Sequence, residues 1–272
     1  VLNWLFHIIV MCFHVLLAGA DPSCPLGRLD FSLMSHQALM EIIVQNVEFN
    51  CDDDFKDKSG NFLDIRDWET LCVNKKGDVI VIEFIECLGK GSLNFDAIPR
   101  TVTKLEVGMS KVSGEIPFGR LYDEMRYITI HDTEFYGSVD LTAIPREMIY
   151  LMLGDSRFSG TLDFSRLPKN LICLDLYGNA FTGEIDLRPI TKQIIGFSSD
   201  HFKLKEEGRY PPLGMGFGID LGKNDFEHDL RVRFLDLFTN EGQFTRSGCT
   251  RIIDAEGRTQ PLEDIFAEEY DF

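Results

Sequence analysis

A unit of 23 residues recurs along this chain. It reads MRYITIHDTEFYGSVDLTAIPRE from Met125, MIYLMLGDSRFSGTLDFSRLPKN from Met148 and LICLDLYGNAFTGEIDLRPITKQ from Leu171. Stepping back gives VTKLEVGMSKVSGEIPFGRLYDE from Val102 and VIVIEFIECLGKGSLNFDAIPRT from Val79. Stepping forward gives a degraded unit from Ile194 and a further one, GFGIDLGKNDF, near Gly216. A unit this short cannot bury its own apolar face, so neighbours must stack into one continuous core.

The spacing inside the unit says how. Positions 4 and 6 are apolar (Ile82 and Phe84, Leu105 and Val107, Ile128 and Ile130, Leu151 and Leu153, Leu174 and Leu176), which predicts a short strand with one buried face. Position 13 is Gly91, Gly114, Gly137, Gly160 and Gly183, a bend that a Cβ would obstruct. Positions 15 and 17 are apolar again, a second extended segment. Pro99, Pro145 and Pro168 at position 21 end it without a helix. Phe135, Phe158 and Phe181 at position 11 should stack as a column.

The shared pattern, LxxLxLxxNxFxGxLDLxxLPxx, resembles the leucine-rich repeat family, and its second half the plant-type subclass. The "IDL…LP" spelling is similar to secreted or surface leucine-rich repeat proteins of kinetoplastid protists. The resemblance covers residues 79–226, about seven repeats with 194–215 irregular. It implies an α/β leucine-rich repeat solenoid, mainly β, with a short parallel concave sheet, a non-helical convex side and a helical N-terminal cap. Position 9 in that family carries a polar residue that bonds the backbone of adjacent coils as a ladder, a role that falls here to Asn179, Asn224 and Cys87. Ser110, Thr133, Ser156 and Phe202 hold the same position, and Phe202 cannot serve. LDIRDWETLCVNKKGDVIVIEF resembles the family's N-terminal cap, where a Trp and a Cys precede the first strand.

A solenoid needs both ends closed. Residues 31–50 have helical spacing, with Leu39, Ile42, Ile43 and Val47 on one side and Ser35 as N-cap. Residues 21–78 are therefore read as the N-terminal cap. Residues 227–272 are read as a C-terminal cap, a terminal strand or a hairpin turning at Glu256-Gly257, and an acidic tail. Ahead of all this, residues 1–20 carry no charge and end Ala18-Gly19-Ala20, the mark of a secretory signal peptide cleaved after Ala20. An uncleaved membrane anchor is the alternative. The expected basic n-region is missing and the first residue is Val, as in a sequence cut short at its start. Without the leader six cysteines remain. Cys51–Cys72 is the preferred disulfide, Cys24 competes for either partner, and spacing does not decide.

The chain has 44 acidic and 27 basic residues, a net charge of −17 over 272 residues. That balance argues against nucleic acid and anionic lipid as partners. No catalytic motif is found: there is no HExxH, GxSxG or GxxxxGK, and the histidines have no metal-ligand spacing. The acidic run 51–57 fails the EF-hand template and reads as a solvated loop. No enzyme activity, metal or cofactor is expected.

What remains is a surface. Positions 3, 5 and 7 point away from the core on the concave side. They make Lys104, Glu106, Tyr127, Thr129, His131, Tyr150, Met152, Asp175 and Tyr177 the candidate ligand-binding residues. Tyrosine combines a large apolar face with a hydroxyl and is favoured at interfaces. The expected function is non-enzymatic binding of a protein or glycan, in the secretory pathway or at the cell surface. The alternatives are an inhibitor of a secreted enzyme and the truncated ectodomain of a receptor.

Overall fold

Apolar residues at positions 4 and 6 give every repeat a strand with one dry face, and stacking those faces builds the molecule. The structure, a computed structural model, describes residues 31–190, 218–233, 244 and 246–262. The chain divides into two compact units, residues 1–35 and 36–272. The described part of the first holds a 3-10 turn, Phe31–Leu33.

The second unit opens with helix α1 (His36–Val44), β1 (Asn46–Phe49) and β2 (Leu71–Val73). The repeats then supply strands in pairs: β3 (Val79–Ile85) and β4 (Leu88–Ser92), β5 (Lys104–Gly108) and β6 (Lys111–Gly114), β7 (Tyr127–His131) and β8 (Glu134–Ser138). The series continues with β9 (Tyr150–Met152) and β10 (Arg157–Gly160), then β11 (Cys173–Asp175) and β12 (Ala180–Asp186). Beyond residue 217 come β13 (Gly218–Asp220), β14 (Asp225–Arg231), β15 (Arg251–Ile253) and β16 (Thr259–Pro261). Front strands form one sheet in the order β13-β11-β9-β7-β5-β3-β2, and back strands form another, β1-β4-β6-β8-β10-β12-β14-β15-β16. Repeat strands run parallel to their neighbours, while β2, β1 and β16 are antiparallel closures. This is a leucine-rich-repeat-like solenoid, mostly β, with one described α-helix at its N-terminal end.

The two sheets keep different registers. In the first, equal repeat positions face each other, as Ile128 faces Leu151 and Leu151 faces Leu174. In the second, the position-13 glycine of one coil lies beside the position-11 residue of the next, as Gly137 beside Phe158 and Gly160 beside Phe181. β11 pairs directly with β13, Leu174 beside Ile219. Residues 194–215, with Phe202, lie outside the described ones.

Position 4 and 6 side chains are buried in every described coil from Ile82 to Leu221, and the back strands add Phe135, Phe158, Phe181 and Phe226. Phe158, Phe181 and Phe226 form the column, with centroids 6.5 and 6.4 Å apart and rings 4° from parallel. Phe135 instead meets Phe95 edge-on at 5.6 Å. The Asp of the repeated "DL" starts the turn that follows it. Asp140, Asp163 and Asp186 each accept a bond of 2.8–3.1 Å from the amide two residues on. Asp163 opens the 3-10 segment Phe164–Arg166, and the equivalent segments Phe95–Ala97 and Phe118–Arg120 follow Asn94 and Pro117, so the described back of the repeats carries 3-10 turns and no α-helix.

The helix expected across 31–50 ends at Val44. It buries Leu39, Met40, Ile43 and Val44, while Ile42 is half-buried and Val47 belongs to β1. β1 can pair with β4 because position 91 is glycine: φ is +131°, and a Cβ there would run into the Asn46 carbonyl. Trp68 is buried, edge-on to Phe55 at 5.0 Å, and Phe55 stacks on Phe49 at 4.4 Å.

The expected Cys51–Cys72 disulfide is not formed; both cysteines are free and exposed. Cys51 follows β1, at the edge of the second sheet, whereas Cys72 lies in β2, at the edge of the first. Cys87, Cys173 and Cys249 are buried and in no disulfide, and Cys24 lies outside the described residues.

At the other end β15 runs parallel to β14, Leu230 beside Ile252, so the chain adds one more turn to the second sheet before β15 and β16 close as a hairpin. Asp254 accepts from the amides of Glu256 and Arg258 to make that turn. Among the described residues no helix is long and apolar enough to cross a membrane, and the expected signal peptide, residues 1–20, lies outside them.

Candidate ligand-binding face

Residues at positions 3, 5 and 7 stand on the side of the first sheet opposite the core, brought into rows by its like-with-like register. One row runs Lys104–Tyr127–Tyr150–Cys173, and the next runs Glu83–Glu106–Thr129–Met152–Asp175–Asp220. The pairing of Cys173 with Tyr150 confirms the repeat phase on this strand.

These rows are not uniformly open. Lys104, Glu106, Tyr127, His131, Asp175 and Tyr177 are partly exposed. Tyr150, Met152 and Thr129, also expected in the binding set, are only 1%, 3% and 2% exposed and offer no free surface. Tyr150, Met152, Cys173 and Ile149 form an apolar cluster of their own, with Tyr127 and Ile172 packed against it. Tyr150 stacks under Tyr127 with centroids 5.5 Å apart and rings 18° from parallel. The buried tyrosine thus fixes the ring plane of the exposed one. Its hydroxyl has no hydrogen-bond partner, and burial pushes its pKa far above the ordinary phenol range.

Charge divides the face. At its N-terminal end Lys104 is held between Glu83 and Glu106, 2.8 Å from Glu106 Oε2. Burial pulls the Lys104 ammonium down, but the bonds to these carboxylates outweigh it and leave its pKa raised. At the C-terminal end Asp175 and Asp220 stand side by side. Each accepts a 2.9 Å bond from the amide two residues on, Tyr177 and Gly222. Burial pushes Asp175 up to about 6, against the Tyr177 bond that lowers it, and burial raises Asp220 as well. Lys223 sits 4.5 Å from the centre of the Tyr177 ring, a cation–π contact. The His131 ring lies against Gly108, where a Cβ would strike it, and its Nδ1 is 3.7 Å from Asp132.

Asp220 and Lys223 did not enter the sequence-based set. They occupy positions 5 and 8 of the unit starting at Gly216, and carrying the phase one unit further would have found Asp220.

The ladder residues act within the stack. Asn179 Oδ1 accepts from the Phe158 amide at 3.0 Å, and its Nδ2 donates to the carbonyls of Leu153, Leu176 and Tyr177. Asn224 repeats the pattern, accepting from Phe181 and donating to Leu176, Leu221 and Gly222. Around Cys87 the work is done by Asn50, whose Nδ2 donates to the carbonyls of Glu86 and Leu88 and whose amide donates to the Cys87 carbonyl. The Cys87 thiol is pushed up to about 12 by burial.

On the opposite side, a cavity of about 270 Å³ is lined by Ser92, Asn94, Asp96, Glu115 and Arg120 among others, with Arg120 bound to Asp96 at 2.7 Å. At the end of the acidic run 51–57, Asp57 turns the chain that follows by accepting from the amides of Ser59 and Asn61. Among the described residues no cluster of three or more His, Cys, Asp or Glu could hold a metal ion.

No family model matches the chain, and no curated protein matches it either. Solved structures do. The crystal structure of a pollen receptor kinase 3 is 19% identical, covers 71% of this chain and 85% of its own, and has a TM-score of 0.47. The BIR2 ectodomain from Arabidopsis thaliana is 20% identical over 56% of this chain and 83% of its own, at 0.46. A plant ice-binding protein is 16% identical over 81% and 72%, at 0.49. At such scores these likenesses carry no argument about what this chain binds; the assignment of the fold stands on the repeat and its register.

Proposed function

We propose that this chain is a non-enzymatic recognition module that holds a protein or glycan on the outer face of its first sheet. The observation that carries the reading is the set of partly exposed side chains Tyr127 and His131 on β7 and Asp175 and Tyr177 on and just after β11, one strand away across β9, at positions with no core duty. Lys104 and Glu106 form the neutralised end of the face, Asp175 and Tyr177 the acidic end, and Tyr150, Met152 and Thr129 support it from beneath. The uncompensated acids favour a ligand that is basic or rich in hydroxyls. Cys87, Asn179 and Asn224 serve the stack and not the ligand.

The domain reading goes with this: a leader over 1–20, a cap over 21–78, repeats over 79–226 and a closing segment over 227–272. The leader supports passage through the secretory pathway to the outside or the cell surface. An affinity to kinetoplastid surface proteins rests on the spelling of the repeat alone. Affinity capture with the secreted chain tests the function. A Tyr127→Ala, Tyr177→Ala double variant should lose its captured partner by tenfold or more, and undiminished capture would remove the face from the proposal. The acidic end also favours a second reading, inhibition of a basic secreted enzyme, which predicts association that weakens steeply with salt.

A further inference from the structure

The first turn of α1 holds the N-terminal cap to the rest of the solenoid through side chains. Gln37 Oε1 accepts from the Ile65 amide at 2.9 Å, and Gln37 Nε2 donates to the Leu63 carbonyl at 2.9 Å. His36 makes a further tie that reaches the repeats themselves, at the end of the helix opposite the Asn94 amide bond to the Ile43 carbonyl: its Nδ1 accepts a 2.8 Å hydrogen bond from the main-chain N–H of Val79, the first residue of β3. Val79 is fully buried. An amide proton can be received only by an unprotonated ring nitrogen, so this bond requires neutral imidazole with its proton on Nε2. Protonation would set two donors face to face in a partly buried bond, and an N–H left without its acceptor there is costly.

The charged groups on the surrounding elements are largely engaged elsewhere. On α1, Glu41 accepts from Gln37. On the segment beneath, Asp64 pairs with Arg66, and Asp67 is exposed. On the β2–β3 hairpin, Asp78 accepts from Asn74, and Lys75 and Lys76 are exposed. On the Phe95–Ala97 turn, Asp96 pairs with Arg120. Histidine is the side chain that changes charge between about pH 5 and 8.

We propose that the His36–Val79 bond is a proton-controlled latch: with neutral His36 the cap helix is pinned to the first repeat strand, and with protonated His36 it is released there. Gln37 does not titrate and keeps the helix tied to residues 63–65, and the β1–β4 and β2–β3 pairings and the Asn94 amide bond to the Ile43 carbonyl hold the cap on the repeats, so acid frees only the start of α1 from β3.

The test is amide hydrogen exchange at Val79 on the full chain, corrected for intrinsic rates, from pH 7.5 to 5.0. In the wild type, protection of Val79 should fall at least tenfold over this range, ahead of amides in β7 and β9. In His36→Asn, whose Oδ1 can take the place of Nδ1 and does not titrate, Val79 should stay protected. In His36→Leu, protection should be low at every pH. Parallel behaviour of wild type and His36→Asn would overturn the latch. If neither variant folds, the wild-type Val79 amide shift and the His36 ring carbon shift must follow one common titration curve, and separate curves would overturn it equally.

Discussion

Asn224 Oδ1 accepts a 3.1 Å hydrogen bond from the main-chain N–H of Phe181, one coil earlier, and Asn179 does the same for Phe158 at 3.0 Å. Two asparagines of one column thus tie three coils together. Further toward the N-terminus the column changes character. Thr133 and Ser156 bond each other at 2.9 Å, and the buried Ser110 hydroxyl has no partner. The same repeat position should therefore give opposite results. Asn179→Ala strands an amide and several carbonyls and should cost about 2–4 kcal/mol. Ser110→Ala removes an unsatisfied group and should be neutral or slightly stabilising. Chemical denaturation of both variants checks this, and equal losses would contradict it.

The position-13 glycines allow a similar contrast. All of Gly91, Gly114, Gly137, Gly160 and Gly183 have positive φ. Beyond that strain, a Cβ on Gly91 would strike the backbone of β1, whereas a Cβ on Gly114 would meet nothing within 4 Å. Gly114→Ala should cost roughly 1–2 kcal/mol, the left-handed penalty alone. Gly91→Ala should cost more and should also unseat β1, seen as lost exchange protection at Val47 and Phe49. A similar exchange profile in the two variants would show that the approach of β1 does not depend on this glycine.

These contrasts mark how far the sequence carries. The alternation at Ile128 and Ile130, or Leu151 and Leu153, is repeated often enough to fix strand, face and phase, and the structure keeps each of them. What lies outside the repeat has no such support. His36 and Asn50 reach Val79 and the carbonyls beside Cys87 across 43 and 36–38 residues of chain, and no spacing announces those bonds. The Cys51–Cys72 pairing failed for the same reason, since no periodicity places the two cysteines. Within the repeats the direction of a side chain was legible but its exposure was not. Tyr127 and Tyr150 share position 3, yet one is half-open and the other is buried beside Met152 and Cys173.

Asp175 supplies a prediction with a defined pH window. Burial raises its pKa from 3.8 to about 6. The folded chain then holds this proton more tightly than the unfolded chain, so stability falls as pH rises from about 4 through 6 and stays lower above. Asn keeps an oxygen for the Tyr177 amide and removes the buried charge. Asp175→Asn should therefore gain stability at pH 7.5, on the order of 1–3 kcal/mol, with the gain shrinking toward pH 4. Urea denaturation at pH 7.5 and pH 4.5 measures both ends. A variant that is no more stable at pH 7.5 would mean that water or a cation already compensates Asp175. If the acidic end of the face recognises a basic ligand, the same substitution should weaken capture while the fold grows more stable, and that opposition separates a binding role from a structural one.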